Sequence, residues 1–470
     1  MSPFSLELGL GAVMLVVFAA TLAARGTDRR WIAWLATVGV LAVGVVSVVA
    51  TPTAPALFGM FVQDPLAIFA KRLFLAATFI GLLAGISRDG AACGRRAGEY
   101  HLLMLSSLLG MLVLASARDL ILLFVAFELM SIPLYVLAGF LKGQDESVEA
   151  ALKFFLVGSV SSAVMAYGLS FVYGATRSTD LARVAQVFSS GQPLLLLGLL
   201  AVLAGFAFKI AAFPFHMWVP DTYEAATTPF VAWLSVAPKA AGFAAIFRIF
   251  VEGVAGGGAA WTPVAGFLGG VTIVAGNLLA LSQTDAKRLL AYSGIAHIGY
   301  LLVGVAAMTP FGVGTVLFYL VAYVFSNMGA FMVVETVQLS EGTTAIQGLR
   351  GLAQRSPVLA LAMLVFLLSL GGIPFVVGFW AKLYVLWAAA QAGLYGLVLL
   401  GAVLTVVALF YYLAVARALY IDAPAATAAP VPVPPALLLV ILVSAVAVLA
   451  LGLYPGPLVD AAFRAATPLF

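Results

Sequence analysis

Few residues in this chain can carry charge, and they stand at particular places in otherwise apolar runs. Glu128 lies in FVAFELMSIPLY, Lys209 in GFAFKIAAFPFHMW, Lys239 in SVAPKAAGF, His297 in GIAHIGYLL and Lys382 in GFWAKLYVL. Lys153 and Glu335 fall nearer the ends of their runs, where interfacial water can solvate them, and His216 sits just beyond Lys209 in the segment PFH. An ionised side chain at mid-bilayer costs about 2.5–3.5 kcal/mol on insertion scales, so a chain that keeps several has a use for them. Carboxylates, lysines and histidines without metal-ligand spacing point to proton handling. Glu128 and Lys209 share the pattern charge-x4-Pro, in ELMSIP and KIAAFP. A proline within a helix strands the carbonyl four residues before it, here those of Leu129 and Ile210, and a stranded carbonyl attracts water or an ammonium. A lysine deprived of water releases its proton more readily, a nearby carboxylate holds it, and the pair titrates as one unit. Moving Glu128 relative to Lys209 therefore switches the lysine, and a row of lysines and histidines linked by water passes the proton onward.

The elements that must hold these residues are membrane helices. Of 470 residues, 64% are hydrophobic and only 9% charged, far from the balance of a soluble domain. Apolar runs of about 20 residues, each long enough to cross a hydrocarbon core of roughly 30 Å, recur from end to end. The expected fold is all-α and polytopic, with about fourteen helices near 5–24, 31–51, 65–86, 99–117, 119–140, 148–174, 191–213, 228–250, 261–282, 289–308, 311–337, 357–388, 392–420 and 435–454. The first run lacks a basic start and a cleavage site, so it reads as a retained span.

Most Lys and Arg in the connections follow odd-numbered spans: Arg25, Arg29, Arg30, Arg88, Arg95, Arg96, Lys142, Lys287, Arg288, Arg350 and Arg355, against Arg118, Arg177, Arg183, Arg248 and Arg464 on the other side. The positive-inside bias then makes the odd connections cytoplasmic and puts both termini outside. The seventh and twelfth spans are interrupted, at Pro214 and at Pro374 of GGIP. Each break falls about 115 residues beyond the start of the fourth or ninth span, which implies two five-helix repeats, inverted because each has an odd number of spans. The expected divisions are a three-helix segment over 1–98, a first repeat over 99–252, a second over 253–422, and over 423–470 a proline- and alanine-rich linker with a peripheral last helix. The lone cysteine, Cys93, excludes a disulfide framework and cannot hold an iron–sulfur cluster. With three histidines and no Gly-rich nucleotide loop, the chain shows no redox cofactor of its own. Lys71, Arg72 and His101 read as interface or packing residues.

The runs FVAFELMSIPLYVLAGF, PFHMWVPDTYEAATTPFVAWLSVAPKAAGFAAIFRIF, GNLLALSQTDAKRLLAYSGIAHIGYLLVG and LSLGGIPFVVGFWAKLYVL, in this order, resemble the N subunit family of proton-pumping NADH-quinone oxidoreductase, respiratory complex I. The resemblance covers the fourth to thirteenth spans. It implies an antiporter-like proton-translocating subunit in the membrane arm of a bacterial cytoplasmic membrane, beside the antiporter-like M subunit and the small J and K subunits, with no nucleic-acid partner. It places FMN, iron–sulfur clusters and quinone on other chains. Carried over by motif, the buried glutamate is Glu128, the broken-helix lysine Lys209, the link between half-channels Lys239 and the lysine of the second broken helix Lys382; Lys153 and His297 fall on polar positions of the axis, and His216, beside the first break, is counted with the proton-translocating residues. Lysine at 382 favours the N over the M subunit, which has glutamate there. The family often carries acidic residues where this chain has Ala345, Ile346 and Gln347. A cation/proton antiporter of the multisubunit type is the competing reading, and a broken-helix solute transporter a further one.

Overall fold

The computed structural model describes residues 2–24, 29–86, 96–141, 143–188, 191–254, 258–424 and 429–470. Arg25, Arg88, Cys93, Arg95, Lys142 and part of the proline-rich linker lie outside them. The described residues form helices and no strand beyond isolated two-residue pairings. Thirteen helices among them are long and apolar enough to span a membrane. In hydrocarbon the backbone must satisfy its own hydrogen bonds, and helices do so segment by segment.

The first three spans are α1 (Ser5–Ala23), α2 (Arg30–Val48) and α3 (Pro65–Gly85), which pack on one another and on α4 (Ala97–Ser116). Asp64 caps α3 by accepting from Ala67 N at 2.8 Å, and Asp119 caps α5 (Leu120–Ala138) in the same way. The long α6 (Asp145–Thr176) is followed by a short amphipathic helix, α7 (Leu181–Phe188), which the apolar windows did not include. The interrupted seventh span is α8 (Pro193–Ile210) and α9 (Trp218–Ala225).

The eighth span is also divided, into α10 (Thr228–Leu234) and α11 (Ala237–Phe247), where a continuous helix was expected. Pro238 in the first turn of α11 cannot donate to the preceding turn, so the helix restarts immediately before Lys239. A π-turn at Arg248–Glu252 completes this span.

The second half comprises α12 (Gly258–Ala280), α13 (Ala286–Ala306), α14 (Pro310–Glu341), the short α15 (Leu352–Arg355), the broken pair α16 (Pro357–Gly371) and α17 (Val377–Gln391), and α18 (Tyr395–Tyr420). The last span, α19 (Pro435–Leu453), is less peripheral than expected. Gly452 at its end seats against Phe375 and Val376 in the second break, and Trp380 Nε1 donates to its carbonyl at 2.8 Å. A further helix, α20 (Gly456–Ala466), folds back onto α14 and α3.

The centre consists of α10, α11, α13 and α14, which are almost wholly buried, while α1, α6, α18 and α19 leave most of their surface outward. Glycine crossings lock each half. A Cβ on Gly168 of α6 would lie 2.6 Å from the Gly198 carbonyl oxygen of α8, and one on Gly299 of α13 would lie 2.8 Å from that of Gly269 of α12. With no hydrophobic drive between helices in lipid, such close backbone approach is what holds them.

Candidate functional site: a buried row of lysines

The two broken helices end in the same local structure. Ala211 (φ 66°) and Gly372 (φ 83°) adopt the left-handed conformation after α8 and α16. Ala212 N then donates back to Ala207 O at 2.8 Å, and Ile373 N to Leu368 O at 3.0 Å. This C-cap satisfies carbonyls that a helix end would otherwise strand.

Lys209 stands one residue before the end of α8, 2% exposed. Its stem packs on Gly242 of α11, and its ammonium lies 5.2 Å from the Phe127 ring centroid and 5.8 Å from that of Tyr135. Neither Lys209 Nζ nor Glu128 Oε1 has a hydrogen-bond partner among the described residues, so the pair acts through space, without contact. Lys209 thus grips no carbonyl among the described residues. The break's own cap takes the Ala207 carbonyl, and Trp218 Nε1 approaches that of Phe208 at 3.3 Å. The arrangement expected there occurs at Lys382 instead, whose Nζ donates to Gly371 O at 3.2 Å, at the edge of the second break. Lys382, 5% exposed, runs its stem over Gly372 and its ammonium over the Tyr300 ring at 5.0 Å.

Between these ends lies Lys239, 1% exposed and without a hydrogen-bond partner. Its ammonium sits 5.5 Å from the Tyr223 ring centroid and close to Gly294 of α13. One turn further along α13, His297 Nδ1 pairs with the Tyr319 hydroxyl at 2.6 Å and Nε2 with that of Tyr412 at 3.2 Å. Tyr412 also bonds Ser293. Lys239 and Lys382 both act electrostatically on His297. Helices α5, α8, α11, α13 and α17 carry Glu128, Lys209, Lys239, His297 and Lys382; the three lysines and His297 are buried and Glu128 is half-buried.

Two expected members stand elsewhere. His216, in the first break, is buried against Phe213 with Nδ1 unpartnered. Lys153 is 47% exposed and pairs with Glu149 at 2.8 Å and Asp221 at 2.9 Å, at the rim of the bundle and outside the axis. Glu335, expected near a solvated end, is fully buried because α14 runs on to Glu341.

The tyrosines were not anticipated, although Tyr319 and Tyr323, four apart, share one face of α14. Two charged groups also emerge from residues read as connections or packing. Arg248 is fully buried, bonding both Asp64 oxygens at 2.6 and 2.7 Å, Glu252 at 3.0 Å and the Ala115 carbonyl. Lys71 is buried against Glu7 at 2.6 Å.

The family described as NADH:quinone oxidoreductase/Mrp antiporter, TM, matches residues 117–408. NADH-quinone oxidoreductase subunit N of Moorella thermoacetica is 41% identical over 99% of this chain and 98% of its own. This chain belongs to the subunit N family of NADH-quinone oxidoreductase. Among solved structures, a chain of respiratory complex I from Thermus thermophilus with bound aureothin is 34% identical, with a TM-score of 0.83 over 97% of this chain and 98% of that one. A chain of the Mrp complex from Dietzia shares the fold, with a TM-score of 0.89 over 100% and 98% at 22% identity. The chain is a multi-pass membrane protein, and among the described residues no His, Cys, Asp and Glu cluster suits a metal ion.

Proposed function

We propose that Glu128, Lys209, Lys239, His297 and Lys382 carry protons through this antiporter-like subunit, driven by quinone reduction on other chains of the complex. The observation that supports this is the buried series itself, which crosses both halves of the fold and reaches both broken helices. Lys209 and Lys239 have no hydrogen-bond partner among the described residues, so their protonation depends on neighbouring charge and on water, which a buried polar group requires when protein does not satisfy it. When Glu128 stands near Lys209, the ammonium is held. When Glu128 is drawn away by a charge shift in a neighbouring subunit, the proton leaves Lys209 for Lys239. Repulsion from that new charge favours release from Lys382 by way of the His297, Tyr319 and Tyr412 hydroxyl system. Each charge moved against the membrane potential works against about 2.3 kcal/mol per 100 mV.

In this reading the chain sits in a bacterial cytoplasmic membrane with both termini outside. An M-type subunit lies on one flank and the small J and K subunits on the other, and flavin, iron–sulfur clusters and quinone are bound elsewhere. The test is proton yield per NADH oxidised in sealed vesicles carrying the assembled complex. Lys209→Met, Lys239→Met and Glu128→Ala should each depress pumping with assembly intact; a normally assembled Lys209→Met complex with parental yield would refute the series.

A further inference from the structure

Lys153, exposed at the end of its ion pairs, borders a cavity. This cavity, about 420 Å³, opens where α6, α9 and α13 meet, on the face that carries the α5–α6 connection and Arg288. Glu146, Glu149, Asp221 and Glu224 give it an acidic wall. Asp221 is the hub of two ion pairs across the seam, with Lys153 of α6 at 2.9 Å and Arg288 of α13 at 3.0 Å. Each cation has a second carboxylate as well, Glu149 at 2.8 Å for Lys153 and Glu224 at 2.8 Å for Arg288.

An independent feature lies at the back of the cavity. Thr227, only 7% exposed, lines it with a hydroxyl that has no hydrogen-bond partner. Thr227 is the N-cap of α10, where a threonine ordinarily accepts from an amide of the first turn. Here Pro229 occupies that turn and has no N–H to give, and the Thr227 side chain makes no capping bond. Its hydroxyl is left to face the cavity. Lys287, almost wholly buried, fixes the wall by donating to the Glu224 and Ala226 carbonyls at 2.8 and 2.7 Å.

Behind this wall is the row. Thr222 and Tyr223 of α9 are fully buried with unpartnered hydroxyls, and the Tyr223 ring lies beneath the Lys239 ammonium. Asp221 and Glu224 occupy the opposite face of the same short helix, so the helix α9 itself stands between the cavity and Lys239.

We propose that this cavity is the vestibule through which protons enter toward Lys239, and that Asp221, held between Lys153 and Arg288, is its latch. Lys153 then governs access and is not a station on the buried axis. The inference rests on the proton-carrying reading above. Removing the Asp221 charge leaves Lys153 with Glu149 on its own helix and Arg288 with Glu224, so α9 stays tied to α13 while its tie to α6 is released.

The experiment uses the assembled complex in sealed vesicles of each orientation, with Cys93→Ser as background. A membrane-impermeant maleimide should modify the Thr227→Cys variant from the Arg288 face alone, and adding Asp221→Asn should speed modification several-fold. The Ala225→Cys variant, on the same cavity wall, provides a second probe should Thr227→Cys assemble poorly. Failure of both probes to react from that face, while Glu146→Cys at the rim reacts, would overturn the vestibule. A rate unchanged by Asp221→Asn would overturn the latch. Labelling does not depend on pumping: unreactive probes together with lost pumping in Lys209→Met would refute the vestibule and leave the row standing, and the converse pattern would refute the row alone.

Discussion

The Tyr412 hydroxyl serves both His297 Nε2 and Ser293, so one oxygen organises the centre of the second half. Tyr412→Phe leaves two buried polar groups short of a partner, a loss of about 1–3 kcal/mol each. Proton yield is expected to fall several-fold, with the assembled complex still recoverable; a yield equal to the parent would remove Tyr412 from the path. At this scale the ionisable residues were legible because charge in an apolar run is conspicuous. The tyrosines were not, since a phenol is at home in a membrane helix and its function depends on what its hydroxyl meets. Lys153 shows the converse: its type drew attention, but only its neighbours Glu149 and Asp221 explain it.

Breaks and crossings decide where the lysines point. In the second broken helix, a methyl group on Gly378 would collide with the Ser369 carbonyl oxygen, and the Gly378 amide donates to the Ser369 hydroxyl at 3.1 Å. Gly378→Ala must therefore push α17 away from α16 and carry Lys382 off Gly371. Overpacking of this kind typically costs about 1–3 kcal/mol. The expected result is a lower melting temperature of the purified complex together with reduced proton yield; unchanged values of both would mean that the break is plastic. The interruptions at Pro214 and Pro374 were readable because each proline falls within an apolar run, beside a histidine in PFH and after two glycines in GGIP. The division before Lys239 was missed because Pro238 stands at a helix start, where proline leaves no gap in hydropathy.

The whole molecule is tied together by charge at the end opposite the vestibule. Burial raises the Asp64 carboxyl, but Arg248, bonded to both its oxygens, together with the Ala67 amide and Arg118, outweighs that and holds it below the usual carboxylate value. A carboxylate so depressed stabilises the fold at pH values above its unfolded pKa of about 3.9, and that contribution disappears as pH falls through the lower folded value. Thermal stability should therefore vary little on this account from pH 5 to 8 and drop below about pH 4. Asp64→Asn should remove that acid-side component and lower stability at pH 7, because breaking a buried pair costs about 3–5 kcal/mol. Melting curves across pH for both forms check this, and parallel curves would exclude Asp64 as the titrating group. The same cluster joins α3, the end of α4 and the π-turn after α11, so the N-terminal helices are fastened to the helix that carries Lys239.

By itself the sequence determined that the chain lives in a bilayer, where two spans break and which ionisable residues are kept in apolar runs. Those properties are local: hydropathy over about 20 residues, a proline, a charge where none is cheap. Tertiary structure alone decided that Lys382 and not Lys209 grips a carbonyl of its break, that Arg248 lies inside the fold, and that Lys153 stands exposed in an ion-pair cluster. Each of these depends on a partner more than 10 residues away in sequence, and helix packing, which no single span encodes, brings those partners within reach.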